Sequence, residues 1–168
     1  MIRLLVLDVD GTMTDGGVYY DSTGNELKKF AIKDGAGIVL ARAAGMQVMI
    51  CTGRECEAVR CRAQDLHIDY LFQNVHDKAA FLAADEIRPP QHRAGSIGRA
   101  GHKAAQSHGG QIVQVIAAIG NILLGQAVLS HKPAQKGGEG AVRGTVEEIL
   151  LRDGRLPAAV KKAFGAKI

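Results

Sequence analysis

The sequence predicts an α/β fold with a parallel β-sheet, formed as one domain over residues 1–168. Apolar runs at residues 3–7 and 47–51 have no polar alternation, which is typical of strands buried on both faces. A third short run covers residues 70–72, and segments of helical character separate the three runs. Strands that alternate with helices at this spacing indicate parallel pairing.

The helices and one hairpin are predicted from capping and turn residues. Asp34 is a candidate N-cap for a helix over residues 35–44, and Gly45 is placed to end that helix. Two short strand-like runs flank a cluster of turn-forming residues at 21–25, which predicts a β-hairpin. The hairpin strands are expected at residues 18–20 and 27–30, and further helices at residues 55–66, 77–86, 142–151 and 157–164.

Composition and length narrow the class of protein. A chain of 168 residues can bury a self-sufficient core. Asp8 interrupts the N-terminal apolar run, and no stretch approaches the 18 or more apolar residues of a membrane helix. Three cysteines (Cys51, Cys56 and Cys61) lack metal-site spacing and are expected to be reduced. These features predict a cytoplasmic protein with no membrane partner.

The first predicted strand ends in two carboxylates, Asp8 and Asp10, followed by Gly11. Side chains alternate along a strand, so both carboxylates leave its end on the same side. Two like charges at that distance require a cation or a shared proton, and carboxylate oxygens are ligands that Mg²⁺ prefers. One carboxylate could then attack as a nucleophile while the other transfers protons. The plain alternative is a strand followed by an Asp-Gly turn.

Two further polar residues, Thr52 and Lys78, are expected near the same edge of the sheet. Thr52 follows the second predicted strand, and Lys78 comes shortly after the third. Ligands of parallel α/β sheets bind beyond the carboxyl ends of the strands, where these residues would lie. Taken singly, Thr52 could instead be a helix N-cap, and Lys78 a solvated surface lysine.

The order of these segments resembles the haloacid dehalogenase superfamily of phosphotransferases. The matching segments are Asp-x-Asp-Gly-Thr-x-Thr-Asp at residues 8–15, Ile-Cys-Thr-Gly-Arg at residues 50–54, and Asp-Lys at residues 77–78. Within the superfamily, the hairpin and residues 33–38, 62–63 and 136–143 are most similar to the small 3-deoxy-D-manno-octulosonate 8-phosphate phosphatases. The resemblance covers residues 1–86 and 134–152. It implies a Rossmann-like three-layer fold with a β-hairpin insert and no large cap domain.

The resemblance also implies roles for the polar residues. Asp8 would attack phosphorus and form an aspartyl phosphate, and Asp10 would protonate the leaving oxygen and later activate water. Mg²⁺, the implied cofactor, would bind the Asp8 side chain and the Asp10 backbone carbonyl together with the phosphate. Thr52 and Lys78 would bind phosphoryl oxygens.

The implied substrate is a sugar-acid phosphate with eight carbons, and a nine-carbon sugar-acid phosphate is the alternative. Arg54 could bind the substrate carboxylate with two parallel hydrogen bonds, although a surface salt bridge is an equal possibility for it. Asp34 and Arg143 are further substrate-binding candidates, and Arg143 could instead have a plain helix-surface role. The resemblance also implies a homotetramer that the hairpin helps to form, with the glycine-rich segment near residues 136–140 approaching a neighbouring active site.

Residues 87–138 depart from the family because they contain no Asp or Glu. Six of the 21 Lys and Arg residues lie in this segment, so 15 remain outside it against all 17 acidic residues. The family requires a fourth motif here, Gly-Asp-Asp-x-x-Asp, whose first acid completes the Mg²⁺ ligands. Its loss predicts weaker Mg²⁺ binding and doubtful activity, since even indirect changes around a metal often cost about tenfold. A catalytically silent oligomeric scaffold is therefore a competing hypothesis.

A rearrangement of the gene could explain this acid-free segment. The genetic code permits the antisense strand opposite residues 121 to 111 to encode Val-Ala-Tyr-Ser-Gly-Asp-Asp-Leu-Asn-Asp-Leu, which contains the missing motif. The hypothesis is that residues 88–134 are translated from inverted DNA. The alternative is a basic insert that binds nucleic acid or another anion. The segment has no aromatic residues for base stacking, and residues 112–129 are largely apolar, so no nucleic-acid partner is expected.

Overall fold

The computed structural model describes residues 2–83, 115–118 and 135–165. Strands and helices alternate along the chain, apart from a hairpin near the N-terminus and two consecutive helices at the C-terminal end. The elements are β1 (Leu4–Leu7), β2 (Tyr19–Tyr20), β3 (Glu26–Leu27), α1 (Ile32–Ala43), β4 (Gln47–Cys51), α2 (Glu57–Asp65), β5 (Tyr70–Phe72), α3 (Lys78–Ala83), β6 (Val115–Ala118), α4 (Ala141–Arg152) and α5 (Leu156–Phe164).

Four strands form a parallel sheet in the order β5-β4-β1-β6, which confirms the predicted α/β class. All four residues of β1 are buried, as its unbroken apolar run predicts. In the register of the sheet, Leu7 at the end of β1 lies opposite Ile50 of β4 and Ala118 of β6. The residues that follow β1 and β4 therefore emerge side by side at the carboxyl edge.

Alternate residues of the strands bury opposite faces of the sheet. Leu5 and Leu7 belong to the larger hydrophobic cluster, which also includes residues of α1, α2, α4 and α5. Leu4 and Val6 belong to a second cluster, in which Phe72 and Phe81 pack edge to face. The sheet thus lies between two apolar layers, because side chains of one strand point alternately to its two sides.

The helix over the segment 35–44 begins earlier than predicted, and Asp34 is not its N-cap. The N-cap residue of α1 is Ala31, and Asp34 lies within the first turn. Asp34 is 2% exposed, and its carboxylate accepts hydrogen bonds from the backbone N–H groups of Gly140 (3.2 Å) and Arg143 (3.1 Å). Asp34 therefore caps α4 from the neighbouring helix, which no local sequence signal could indicate.

Other predicted boundaries also shift. The hairpin is present, but its second strand is β3 rather than residues 27–30, and Phe30 instead forms an isolated antiparallel bridge with Thr14. The N-cap residue of α2 is Cys56, so the interpretation of Thr52 as a helix N-cap is wrong. The end of the helix predicted over 77–86 lies outside the described residues, as does most of segment 88–134. Within that segment the structure describes β6, which pairs with β1.

In the described part of the chain, no helix is both long enough and apolar enough to cross a membrane.

Candidate active site

The loop after β1 turns tightly around one carbonyl oxygen. The Val9 carbonyl accepts hydrogen bonds from the backbone N–H groups of Thr12, Met13 and Thr14. The buried Thr14 hydroxyl donates to the same carbonyl at 3.2 Å and accepts from the Gly11 N–H at 3.3 Å. Gly11 has a φ of 74°, a conformation that glycine adopts without steric cost. This turn fixes the backbone between the two acidic residues and the hairpin.

Asp8 and Lys78 form an ion pair at the carboxyl edge of the sheet. Lys78 begins α3, and its Nζ lies 2.7 Å from Asp8 Oδ2. The other carboxylate oxygen, Oδ1, accepts a hydrogen bond from the Val9 N–H at 2.7 Å. The side chains are 23% exposed for Asp8 and 12% for Lys78, so solvent screens the pair only in part. The structure thus brings together two of the predicted site residues that are distant in sequence.

Thr52 directly follows β4, which is paired with β1, the strand that precedes Asp8. Its side chain is buried, its N–H donates to the Phe72 carbonyl at 3.0 Å, and its carbonyl accepts from the Val75 N–H at 3.0 Å. These backbone bonds tie the end of β4 to β5 and to the chain that leads into α3. Thr52 and Lys78 are therefore held by the same segment.

Asp10 binds a lysine that the sequence did not single out. Lys28 Nζ lies 2.5 Å from Asp10 Oδ1 and 2.9 Å from Glu26 Oε1. Glu26 Oε1 also lies 3.1 Å from Arg54 Nη2. Glu26 and Lys28 were missed because charged residues in a short hairpin usually face solvent. Glu26 and Lys28 are two residues apart in extended chain, so their side chains lie on the same side. That spacing is the signal that could have indicated that both side chains face the same part of the site.

The three candidates for substrate binding have different surroundings. The Arg54 side chain is 44% exposed, and the nearby Glu26 carboxylate and the Tyr20 hydroxyl raise the pKa of its guanidinium. Arg143 Nε pairs with Glu147 one turn along α4 at 2.7 Å, as in a plain helix-surface ion pair. Asp34 is buried and bound to the start of α4. Arg54 is thus linked to Asp10, because Glu26 contacts both Arg54 and Lys28 and Lys28 contacts Asp10.

The glycine-rich segment packs against the loop of its own chain. The Gly138 N–H donates to the Thr12 carbonyl at 3.2 Å. Side chains at Gly137 or Gly138 would collide with the backbone of Gly11 or of residues 14–15. The predicted approach of this segment to a neighbouring active site stays a prediction.

Asp8 and Asp10 provide oxygen donors, which are the ligands that Mg²⁺ prefers. Among the described residues, no group of three or more His, Cys, Asp or Glu side chains could hold a metal ion. Mg²⁺ nevertheless keeps several waters and is commonly bound by one or two carboxylates together with a substrate phosphate. The partly exposed Asp8 carboxylate and the Asp10 backbone carbonyl, both oxygen donors, fit that mode of binding.

The chain is similar to known phosphatases and to related solved structures. No model of a protein family matches it. It is 34% identical to 3-deoxy-D-manno-octulosonate 8-phosphate phosphatase KdsC of Yersinia pestis, over 94% of this chain and 84% of that protein. A haloacid dehalogenase superfamily (subfamily III A) hydrolase from Legionella pneumophila is 26% identical, with a TM-score of 0.70 over 98% of this chain and 91% of that one.

A further structure is 3-deoxy-D-manno-octulosonate 8-phosphate phosphatase from Moraxella catarrhalis, in complex with a magnesium ion, a phosphate ion and KDO. It is 25% identical, with a TM-score of 0.71 over 95% of this chain and 91% of that one. The fold, with acidic residues at the carboxyl edge of its sheet, is that of a haloacid dehalogenase superfamily hydrolase. Within that class, the chain belongs to the 3-deoxy-D-manno-octulosonate 8-phosphate phosphatase family.

Proposed function

We propose that this protein hydrolyses a phosphomonoester, 3-deoxy-D-manno-octulosonate 8-phosphate, with Mg²⁺ as cofactor. The observation that carries the proposal is the ion pair between Asp8, the proposed nucleophile, and Lys78, the proposed phosphate-binding cation. The relative from Yersinia pestis bears the name of this activity, and the structure from Moraxella catarrhalis holds the corresponding metal, phosphate and sugar acid.

In the proposed reaction, an Asp8 carboxylate oxygen forms a bond to phosphorus, and the bond from phosphorus to the sugar oxygen breaks. Asp10 gives its proton to that sugar oxygen, so the sugar acid leaves as an alcohol. Asp10 then takes a proton from a water molecule, whose oxygen attacks phosphorus. The bond between Asp8 and phosphorus breaks and inorganic phosphate leaves, so that Asp8 is again a carboxylate and Asp10 is again a protonated carboxylic acid.

Thr52 and Lys78 stabilise the transferring phosphoryl group in this proposal. The Thr52 hydroxyl donates a hydrogen bond to one phosphoryl oxygen, and the Lys78 ammonium binds another. Lys78 would exchange part of its contact with Asp8 for the phosphate. The Asp8 carboxylate and the Asp10 backbone carbonyl would hold Mg²⁺, which would supply positive charge beside the phosphoryl oxygens.

Arg54 is the proposed contact for the carboxylate of the sugar acid. Its guanidinium is partly exposed while Glu26 holds one of its nitrogens, so other N–H groups can reach a ligand. Asp34 is omitted from the proposed substrate contacts because it is buried against α4.

A panel of eight-carbon and nine-carbon sugar-acid phosphates distinguishes the two substrates. Faster turnover of the nine-carbon ester would reassign the specificity.

We also propose that the protein acts in the cytoplasm as a homotetramer. The hairpin exposes four apolar or aromatic side chains, which a neighbouring copy could cover: Val18, Tyr19, Tyr20 and Leu27. Light scattering on the purified protein measures the molar mass of the assembly. We expect a lower molar mass for the Tyr20→Glu variant than for the wild type. A monomeric wild-type protein would contradict this part of the proposal.

The competing candidate is a catalytically silent scaffold, and the acid-free sequence of residues 87–138 favours it. Phosphate release from 3-deoxy-D-manno-octulosonate 8-phosphate, with Mg²⁺ or with excess chelator, separates the two. We expect Mg²⁺-dependent turnover by the wild-type chain and by Asp65→Asn, an exposed control at the end of α2. Turnover should be lost in Asp8→Asn. Equal rates for wild type and Asp8→Asn would favour the silent scaffold.

A further inference from the structure

Lys28 is a buried cation that links the hairpin to the proposed acid–base residue. Its side chain is only 2% exposed, and its Nζ lies between Asp10 Oδ1 and Glu26 Oε1. An ammonium group loses hydration when it is buried, so it persists there only with charged partners. Burial lowers the pKa of Lys28, but the hydrogen bonds that its ammonium group donates to the two carboxylates outweigh this effect and raise the pKa, which keeps the group charged.

The arrangement follows from the alternation of side chains after β3. Glu26 and Lys28 point inward, while Leu27 is 50% exposed and the Lys29 side chain is 73% exposed. Two adjacent lysines thus have different environments. Lys29 lies 3.6 Å from the Asp15 carboxylate.

We propose that Lys28, held by Glu26, is a positioning residue that keeps the Asp10 carboxylate oriented for proton transfer. This inference rests on the proposed function, in which Asp10 is the acid and base. Lys28 engages Oδ1, so proton transfer would use the other oxygen of the same carboxylate. Fixing one oxygen restricts the rotation of the group, and a displacement of about 1 Å in a reacting group can cost about a hundredfold in rate.

Glu26 connects the Lys28–Asp10 pair to Arg54, the proposed substrate contact. Its Oε1 binds both Lys28 and Arg54, so the position of Asp10 and that of the proposed carboxylate-binding group depend on one side chain. Glu26→Gln should therefore change both kcat and KM, whereas Lys28→Met should change mainly kcat.

The kinetic test compares Lys28→Met with Lys29→Met. We expect kcat to fall about ten- to hundredfold in Lys28→Met with little change in KM, because proton transfer and not binding is impaired. Lys28→Arg should recover part of the loss, since a guanidinium can bind the same carboxylate. Lys29→Met should stay within about twofold of the wild type. Equal kcat in the wild type and in Lys28→Met would overturn the proposal.

A second measurement separates this inference from the proposed function. Urea unfolding of wild type, Lys28→Met, Asp10→Asn and the double variant forms a thermodynamic cycle that needs no turnover. We expect the midpoint shift caused by Lys28→Met to shrink in the Asp10→Asn background. Additive shifts would show that the two side chains are not paired and would overturn the inference. A wild-type chain without turnover but with coupled shifts would overturn the proposed function and leave the pairing supported.

Discussion

The Asp34 carboxylate of α1 binds the backbone N–H of Arg143 in α4, at 3.1 Å and 109 positions along the chain. The same carboxylate binds the N–H of Gly140, the N-cap residue of α4. The start of a helix leaves backbone donors without intrahelical partners, and a side chain from another helix meets that requirement here. One residue thus joins two helices that pack beside the sheet.

Asp34→Ala should destabilise the fold. Loss of a helix cap costs about 1–2 kcal/mol, and the two backbone donors would then be buried with poorer partners. We expect the free energy of unfolding in urea to fall by about 2 kcal/mol or more. The exposed Asp65→Ala should change it by less than about 0.5 kcal/mol. Similar values for the two variants would contradict the capping role.

Gly37→Ala should also destabilise the fold, through the contact between α1 and α4. A Cβ at Gly37 would lie 2.5 Å from the Arg143 Cα, which is backbone and cannot rotate away. Forcing extra volume into such a contact costs about 1–3 kcal/mol, and thermal unfolding measures it. Gly53→Ala is the matched control, because its Cβ would meet only the Val75 carbonyl oxygen at an ordinary 3.6 Å. A Tm for Gly37→Ala at or above that of the control would show that the helices lie farther apart.

Lys78→Met should impair catalysis with little loss of stability. Removing one group that stabilises developing charge costs about 10²–10³ in kcat. Steady-state phosphate release measures this effect, and the exposed Lys161→Met of α5 serves as the control. Unchanged kcat in Lys78→Met would exclude a phosphate-binding role.

The thiols should differ in reactivity at pH 8. Burial raises the pKa of Cys51 to about 11, with a further rise from Asp8 and an opposing effect of Lys78. The folded state thus favours the neutral thiol over the reactive thiolate. This contribution to stability is present below the reference pKa of 9.0 and is lost as pH rises towards 11. Mass spectrometry after iodoacetamide treatment should show the exposed Cys61 modified well before Cys51.

The control for the iodoacetamide experiment is the same reaction in urea, where the chain is unfolded. All three cysteines should then be modified at one rate. Equal rates for Cys51 and Cys61 in native buffer would contradict the buried position of β4.

The nucleotide sequence tests the proposed origin of residues 88–134. We expect the reverse complement of that stretch to have an open frame with Gly-Asp-Asp codons opposite residues 117 to 115. In-frame stop codons, or other codons at those three positions, would eliminate the inversion. Restoring the original orientation should then raise Mg²⁺ affinity and phosphatase activity, because an acidic ligand returns.

Local patterns predicted much of this architecture. The unbroken apolar runs identified β1 and β4, because a strand buried on both faces has no polar positions. The order of strands and helices indicated that Asp8 and Lys78 would share one edge of the sheet, and their ion pair agrees with that expectation.

Other features depend on contacts between distant segments. The signal for Asp34 was a local capping pattern, but its hydrogen bonds go to α4. No local signal distinguishes Lys28 within the predicted hairpin strand, yet it is buried between Asp10 and Glu26. A sequence pattern reports which face of an element is apolar, and does not report which distant charge that face will meet.

The sequence by itself therefore determined the class of fold, the family and the carboxylates at the end of β1, since these depend on periodicity and on residue order. Only the tertiary structure decided how the charges are paired. Asp8 is bound to Lys78 and Asp10 to Lys28, because the ends of parallel strands and the hairpin converge at one edge. The energies of such pairs depend on distance and burial, which exist only after the chain has folded.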